Sequence, residues 1–548
     1  MLATQVVSRI RSAFEVELPV GALFDAPTVA GLAAVLDGAA GSAAPPIVAV
    51  DRDEPLPLSF AQQRLWFLHR LDPDSLEYNA PMSIGLPADL DVEALAGALA
   101  ALVARHEVLR TRLVADADGV PWQVIDPAPE RFELPVVDEL GPEEPFDLAA
   151  SAPFRAALVR LAGGGYRLAL AMHHVVADEW SIGILRRELL TEGALPPLPV
   201  QYADFAVWQR QWLTGDVLEG QLGYWRERLA GAPTLELPTD RPRPAVRSTE
   251  GELIGFSIPA EVADGLRELA RTSNASMFMT LFSVFSVLLS RYSGQDDIVV
   301  GTPIANRNRA EIEGLIGFFV NTLVLRTDLS GDPTFLELLG RVRSQTLAAF
   351  AHQDLPFERL VDELDVERDR SRSPLFQVLF NYFDEPDGDS ADIAGSATID
   401  LLGGVDLRFV LLDRGHALDG TVEFSTALFD RDRMTRLAGH FVALVSAVVA
   451  DPQCAVSRLP LVSGAELELL QSWSAPGEAF PGGLLVPSLI AEWAAVTPTA
   501  TAVVCGGDAL TYAELVDRSD RLAGYLRSVG VGPEVVVGVC LPRGVDFV

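Results

Sequence analysis

A chain of 548 residues is too long for a single hydrophobic core, and at roughly 100–200 residues per domain it has room for three or four units. Its formal net charge of −34, with 22% charged and 49% apolar residues, argues against sequence-independent binding to nucleic acid or to acidic membranes and lies far from the composition of a disordered chain. All 42 basic residues are arginine, and Cys454, Cys505 and Cys540 are spaced for neither a CxxC pair nor a zinc site, so a reducing, cytoplasmic setting without structural metal is expected.

In chain order, Leu2–Phe14 predicts an amphipathic helix without the apolar core of a signal peptide, and a second helix is expected from Thr28, with Val29, Leu32, Ala33 and Leu36 at helical spacing. About 38 residues cannot bury a core unaided. Asp37–Pro55 is rich in Gly, Ser, Ala and Pro and reads as a linker. Helices are expected at Ser59–His69, Val92–Ala104 and Trp180–Leu190, with a buried strand at Arg167–His174. Leu235–Ser248 carries closely spaced prolines that resist helix interiors and central strands, and is expected as a crossover. A second α/β region follows, with helices at Ala260–Thr272 and Ser276–Tyr292 and strands at Asp297–Thr302 and Val320–Thr327. In the tail, Leu510–Gly544 predicts a helix and then a β-branched strand. No stretch approaches the ~20 uninterrupted apolar residues of a membrane helix.

The run Tyr166–Val176, YRLALAMHHVV, is apolar until it reaches two adjacent histidines. Neighbouring side chains on a strand point to opposite faces, so one imidazole can face a cleft while the other is buried and must satisfy its nitrogens by hydrogen bonds. Asp178, four residues beyond His174, is close enough to brace the loop, and its charge requires a cationic partner. Taken alone, the three residues also fit satisfied core groups at a strand end. Imidazole is nevertheless the side chain best matched to proton transfer near neutral pH. With no Gly-x-Ser-x-Gly elbow and no nearby cysteine, direct transfer between two bound substrates is the chemistry left open.

The segment HHVVADEWS resembles the HHxxxDG core of nonribosomal peptide synthetase condensation domains. Six further blocks similar to that family follow its order: LSFAQQRLWFL (Leu58–Leu68), RHEVLRTRL (Arg105–Leu113), QYADFAVWQ (Gln201–Gln209), IGFFVNTLVLR (Ile316–Arg326), HQDLPFERL (His352–Leu360) and RDRSRSPLFQVLF (Arg368–Phe380). One block alone is weak, but seven in order over about 320 residues are specific. The resemblance implies an α/β fold of two chloramphenicol-acetyltransferase-like lobes, a V-shaped pseudodimer, preceded by a partial helical carrier segment. Donor and acceptor peptidyl carrier proteins would enter a tunnel between the lobes from opposite sides, each bringing a thioester on phosphopantetheine. The acceptor amine would attack the donor thioester and form a peptide bond, with no cofactor or metal bound at the condensation site itself.

On this resemblance His174 matches the reactive position, where it either removes the amine proton or orients the amine and stabilises the tetrahedral intermediate. His173 and Asp178 are supporting residues, and Arg64 matches the arginine that pairs with the motif aspartate; its alternative is a surface helix charge. Trp180, Glu179, Ser181 and Asn321 are expected along the substrate tunnel. Trp180 is equally suited to core packing, and Asn321 to packing or strand capping. Glu179 departs from the family glycine, so it narrows the tunnel, alters the acceptor's surroundings, or points outward.

Residues 1–38 resemble the later part of a peptidyl carrier protein, whose modified serine would lie just before Met1, and LTYAEL at Leu510–Leu515 resembles the first motif of an adenylation domain. The implied organisation is a partial carrier (1–38), a linker (39–55), the two condensation lobes (56–235 and 236–460), a second linker (461–484) and the start of an adenylation domain (485–548), in an antibiotic or siderophore megasynthase. Epimerisation on the same fold is the nearest alternative; the order DEWS and the adenylation-like segment favour condensation, with a leaning toward an L-donor. A catalytically idle recruitment platform is the alternative outside enzymology.

Overall fold

Alternation in Tyr166–His173 places Leu168, Leu170 and Met172 on one fully buried face, and this strand is the centre of the first sheet. It pairs antiparallel with Asn79–Leu86 on one side and Phe154–Arg160 on the other, while Val136–Val137 closes the edge in parallel. The helix Val92–Arg105 covers the sheet through Leu95, Leu99, Leu102 and Val103, started by Asp91, whose side chain accepts from Glu93 N and Ala94 N. The computed structural model describes every residue except 1, 39–40, 42–43, 192, 194, 249, 365–368, 385–403, 475–481 and 484. Parts of both expected linkers, and Arg368 at the head of its block, therefore lie outside the described residues.

The second lobe is built on a six-stranded sheet in the order Asn321–Asp328, Asp297–Ile304, Val378–Asp384, Leu407–Asp413, Leu418–Ser425, Gly251–Ile258. Its core is aromatic, with Phe282, Phe285, Phe380, Phe409 and Phe441 packed at ring separations of 4.7–6.5 Å. The helix Met277–Ser293 is buried along most of its length and starts at Ser276, whose hydroxyl accepts from Met279 N. It ends at Gly294, whose φ of 72° makes the left-handed cap that glycine favours. The helix Arg431–Ala450 has the length and hydropathy to cross a membrane, yet Leu437, Phe441, Leu444, Val445 and Val448 are buried in this core.

The two-lobed α/β architecture is the expected one, but the lobes trade segments across the expected boundary at 235. The helix Gly215–Leu229 precedes that boundary, yet Leu222, Trp225 and Leu229 are buried in the second core. Conversely, Ile312, Leu315, Ile316 and Phe319 are buried in the first. Hydrophobic spacing marks which residues must be buried, not which core receives them. Residues 1–463 form one compact unit, and within it the N-terminal helices have a small core of Val7, Leu18 and Ala22.

Residues 464–548 form the other unit. Gly464–Ser474, within the expected linker 461–484, is a helix with no buried residue, favoured by Leu467, Leu469 and Leu470. The hairpin Thr501–Cys505/Asp508–Thr511 leads into the helix Tyr512–Ser528, begun by a Thr511–Glu514 capping box. The β-branched strand expected after it is not formed. Val535, Val536, Val537 and Val539 are exposed, and no described strand pairs with them, as a strand requires.

Candidate active site

The strand ends at His173, opposite Asn79, and His174 opens a short 3-10 turn, His174–Val176, instead of continuing the strand as expected. The turn forms because His173 caps it: its Nδ1 accepts from Val175 N at 3.1 Å. The separation of the two imidazoles is therefore the work of a strand end and a turn, not of strand alternation alone. His173 is buried among the rings of His69, Tyr78 and Phe146, and burial, with the neighbouring charges of His174 and His69, pushes its pKa down to about 3.

His174 is half-buried. Its amide donates to Tyr78 O at 2.7 Å, and its Nδ1 lies 3.1 Å from Ala177 O. A carbonyl only accepts, so Nδ1 carries the proton in that contact, and in the neutral ring Nε2 carries the lone pair. Phe318, from the second lobe, faces this ring at 6.1 Å.

Asp178 ends the turn as the N-cap of the helix Glu179–Leu189. Its Oδ1 accepts from Ser181 N at 2.8 Å, from Ser181 Oγ at 2.6 Å and from Arg307 Nη2 at 3.0 Å, and its Oδ2 accepts from Phe319 N at 3.0 Å. Arg307 is equally buried; its Nη1 donates to Ile312 O and Leu315 O, and its guanidinium stacks 4.1 Å from the Phe319 ring. A buried carboxylate and a buried guanidinium thus each find hydrogen bonds beyond their mutual attraction, the condition under which such a pair is tolerated.

This corrects the expected partner. Arg64 does not reach Asp178; its Nη1 donates to Glu358 Oε1 at 2.7 Å, and its side chain is 44% exposed. The reason is geometric: Arg64 sits on the face of the helix Phe60–Leu71 that meets the helix Phe357–Glu363, while Asp178 is sealed beneath the turn. The residue of the same block that touches the turn is Gln62, fully buried, with Nε2 3.4 Å from Val175 O. Ser59 caps the same helix, and its hydroxyl lies 2.8 Å from Tyr202 Oη, which donates to Phe318 O at 2.7 Å.

The residues expected along a tunnel separate. Ser181 is buried; its one hydroxyl proton goes to Asp178, and its oxygen accepts from Arg307 Nη2 and Gly317 N, with Gly317 O also 2.9 Å away. Asn321 is likewise structural: Nδ2 donates to Gln353 O and Leu355 O, and Oδ1 accepts from Thr322 N and Phe357 N, so it ties the strand start to the chain entering the helix Phe357–Glu363. Trp180 is half-buried, and its indole N–H donates across the lobes to Glu313 O at 3.2 Å. Glu179 is exposed at the first helical position with negative φ, where the helix dipole favours a carboxylate and no glycine-only conformation is needed.

Sequence reasoning missed Arg307, Gln62 and Tyr202. The last two stand in quoted blocks, so their blocks were visible but not their roles; Arg307 lies outside every block, 129 residues from Asp178. Gly317 also becomes legible: a Cβ there would sit 2.1 Å from Tyr202 Cδ2, so only glycine allows this approach. A shallow cleft lined by Glu77, Arg243, Arg247, Asp406 and others does not include His174. Its arginines are already paired, Arg243 with Asp406 and Arg247 with Glu77.

The chain thus presents two α/β lobes, a histidine turn and a buried aspartate–arginine pair beside that turn. Residues 53–471 match the family model "Condensation domain", more than half of the chain, and the chain belongs to that family. Residues 1–36 match "Phosphopantetheine attachment site" and residues 490–548 match "AMP-binding enzyme". Among similar proteins are a linear gramicidin synthase of Brevibacillus parabrevis, 44% identical over all of this chain and 12% of the relative, and the dimodular nonribosomal peptide synthase of Bacillus subtilis (strain 168), 41% identical over all of this chain and 24% of the relative. The chain therefore spans only a small part of those synthases. Similar solved structures include the teicoplanin-biosynthesis X-domain in complex with OxyB, with a TM-score of 0.67 and 29% identity over 77% of this chain and 100% of that one. A four-domain nonribosomal peptide synthetase bound to AMP and glycine matches with a TM-score of 0.67 and 22% identity over 87% of this chain and 39% of that one.

Proposed function

We propose that the chain forms a peptide bond between two carrier-bound substrates, with His174 as the catalytic residue. The observation that carries this reading is the fixed tautomer: with Nδ1–H donated to Ala177 O, the basic lone pair of the ring sits on Nε2, the kind of group that takes an amine proton or accepts its hydrogen bond. The acceptor α-amine attacks the donor thioester carbonyl, the tetrahedral adduct collapses, the C–S bond breaks, and the amine proton ends on the departing pantetheine thiolate. His174 either takes that proton in transit or holds the amine by accepting its hydrogen bond. Both roles use the same lone pair. Tethering of both substrates supplies a large part of the rate by making the step effectively intramolecular.

Phosphopantetheine enters this reading as part of the substrates. Donor and acceptor carriers deliver it, the carrier-like residues 1–36 and the adenylation-like residues 490–548 support an assembly-line setting, and that setting favours condensation over epimerisation. His173 and Asp178 act by position, one capping the turn from beneath and the other anchoring its far end. Among the described residues no cluster is suited to a metal ion, and no step in the scheme calls for one.

The test supplies separately loaded donor and acceptor carriers and reads the acceptor by intact-protein mass spectrometry. The dipeptidyl product is expected with the parent chain, and His174→Ala is expected to slow it by about 10²–10⁴. Near-normal transfer by His174→Ala in a folded chain overturns the assignment. Recruitment of a partner enzyme is the second reading, favoured by the similar X-domain having been solved with OxyB; an inert parent chain would support it.

A further inference from the structure

The run Ile312–Phe319 belongs by sequence to the second lobe but is held on the first by a series of side chains. Ser181 and Asp178 take the amides of Gly317 and Phe319, and Tyr202 donates to the carbonyl of Phe318. The amide just ahead of these, Ile316 N, goes to a group that the transfer scheme does not use: it donates to His106 Nδ1 at 3.3 Å. His106 is 1% exposed and caps the helix Val92–Arg105. Its Nε2 lies 2.9 Å from Glu188 Oε2, on the helix that begins at Asp178 and Glu179. Glu188 also takes Arg105 Nε at 3.0 Å. The two contacts fix one tautomer. A backbone N–H can only donate, so Nδ1 bears the lone pair, and Nε2–H donates to the carboxylate.

We propose that His106 is a positioning residue for the transfer reaction, which through Nδ1 fixes the Ile316–Phe318 peptides on the first lobe and so sets the place of Phe318 beside His174. The proposal rests on the reading of His174 given above and extends it to the residue that locates the wall facing it. Burial keeps His106 in the neutral form the contact requires: it lowers the imidazole pKa even with Glu188 alongside, and the Arg105 and Arg307 charges act in the same direction as burial. Protonation would turn Nδ1 into a second donor aimed at the Ile316 N–H.

Asparagine and glutamine separate the two contacts. In His106→Asn the side-chain carbonyl falls near the place of Nδ1 and keeps an acceptor for Ile316, whereas in His106→Gln the longer amide reaches the place of Nε2 and keeps only the donor to Glu188. In the full chain with loaded carriers, His106→Gln is expected to lose about tenfold or more in transfer rate at saturating carriers, with carrier affinity changed by no more than about twofold, the size of one lost buried hydrogen bond. His106→Asn is expected to recover most of that rate. Hydrogen exchange of the Ile316 amide gives a readout independent of turnover: about tenfold faster in His106→Gln and near the parent rate in His106→Asn. A purely structural histidine would lower stability in both variants without separating them. Equal rates and equal Ile316 exchange in the two variants overturn the proposal, as does a rate loss that lies wholly in carrier affinity. If the parent chain itself transfers nothing, the reading of His174 fails, and the Ile316 exchange still decides whether His106 holds this segment.

Discussion

Among the arginine–carboxylate pairs between the lobes, Arg307–Asp178 and Arg64–Glu358 differ in almost everything except their charges. Arg307–Asp178 is 2% and 1% exposed, and each partner makes further hydrogen bonds to backbone and to Ser181. Arg64–Glu358 is 44% and 22% exposed and rests on one contact at 2.7 Å. Water screens the second pair and offers each partner an alternative, so its net contribution is about 0–1 kcal/mol. The interior pair has no such alternative. What it contributes is less net stability than a penalty for disruption, because removing one partner strands the other charge. The histidine turn is thus pinned by the buried pair, while the exposed pair can exchange partners at the lobe surface.

The sharpest way to break this comparison is to remove the interior carboxylate. Asp178→Ala leaves the Arg307 guanidinium buried without a counter-charge and frees Phe319 N and the first turn of the helix Glu179–Leu189. A loss of about 3–5 kcal/mol is expected for the unit 1–463 in denaturant unfolding, together with loss of transfer through misplacement of the turn. Pairing it with Arg307→Leu should return part of that stability, because the stranded charge is gone. A loss below about 1 kcal/mol would place the interior pair in the same class as the exposed one.

The blocks that carry the family resemblance were legible in the sequence, and the structure gathers several of them on the turn: Ser59 and Gln62 from the first, Tyr202 from QYADF, Gly317–Phe319 from IGFFVN. Which residue in each block does the work was not. In LSFAQQRLW the family resemblance pointed to Arg64 for the partner that Arg307 turns out to be, because matching a block carries no information on burial, which selects among candidates and is a property of the fold. Arg307 stands in a connecting loop with no periodicity to mark its side as inward. Asn321 misled for the opposite reason: an amide at a strand start has the same appearance whether it lines a site or satisfies four backbone groups, and here it does the latter. The strand boundary at His173 was one residue off, and that residue decides which imidazole belongs to the turn.

A smaller effect sharpens the comparison from another side, by creating an interior charge without a partner. His173 has a folded pKa of about 3 against an ordinary value of 6.5. A lowered histidine pKa means the folded state favours the neutral ring, so this contribution is complete above about pH 6.5, declines as pH falls and is fully lost only below about pH 3. At pH 5 the decline should reach about 2 kcal/mol relative to pH 8. His173→Asn keeps an acceptor for Val175 N and cannot titrate. Its unfolding free energy is expected to fall less steeply than the parent's between pH 7 and 5, and parallel curves would show that His173 is not the group being charged.

The smallest effect belongs to the exposed pair. Arg64→Ala is expected to change stability by less than about 1 kcal/mol, with the remainder weakened further by salt. The measurement has more use than its size suggests. Arg64 and Glu358 link helices of the two lobes, so if transfer depended on that link, Arg64→Ala would slow it while leaving unfolding nearly unchanged. The geometry assigns the lobe junction near His174 to other groups instead: half-buried Trp180 to Glu313 O, and the buried Tyr202 to Phe318 O and Asp178 to Arg307 and Phe319 N. On that assignment the Arg64→Ala rate stays within about twofold of the parent at low and moderate salt alike. A larger, salt-dependent fall would move Arg64 back into the machinery of the reaction, acting from the surface and not through Asp178.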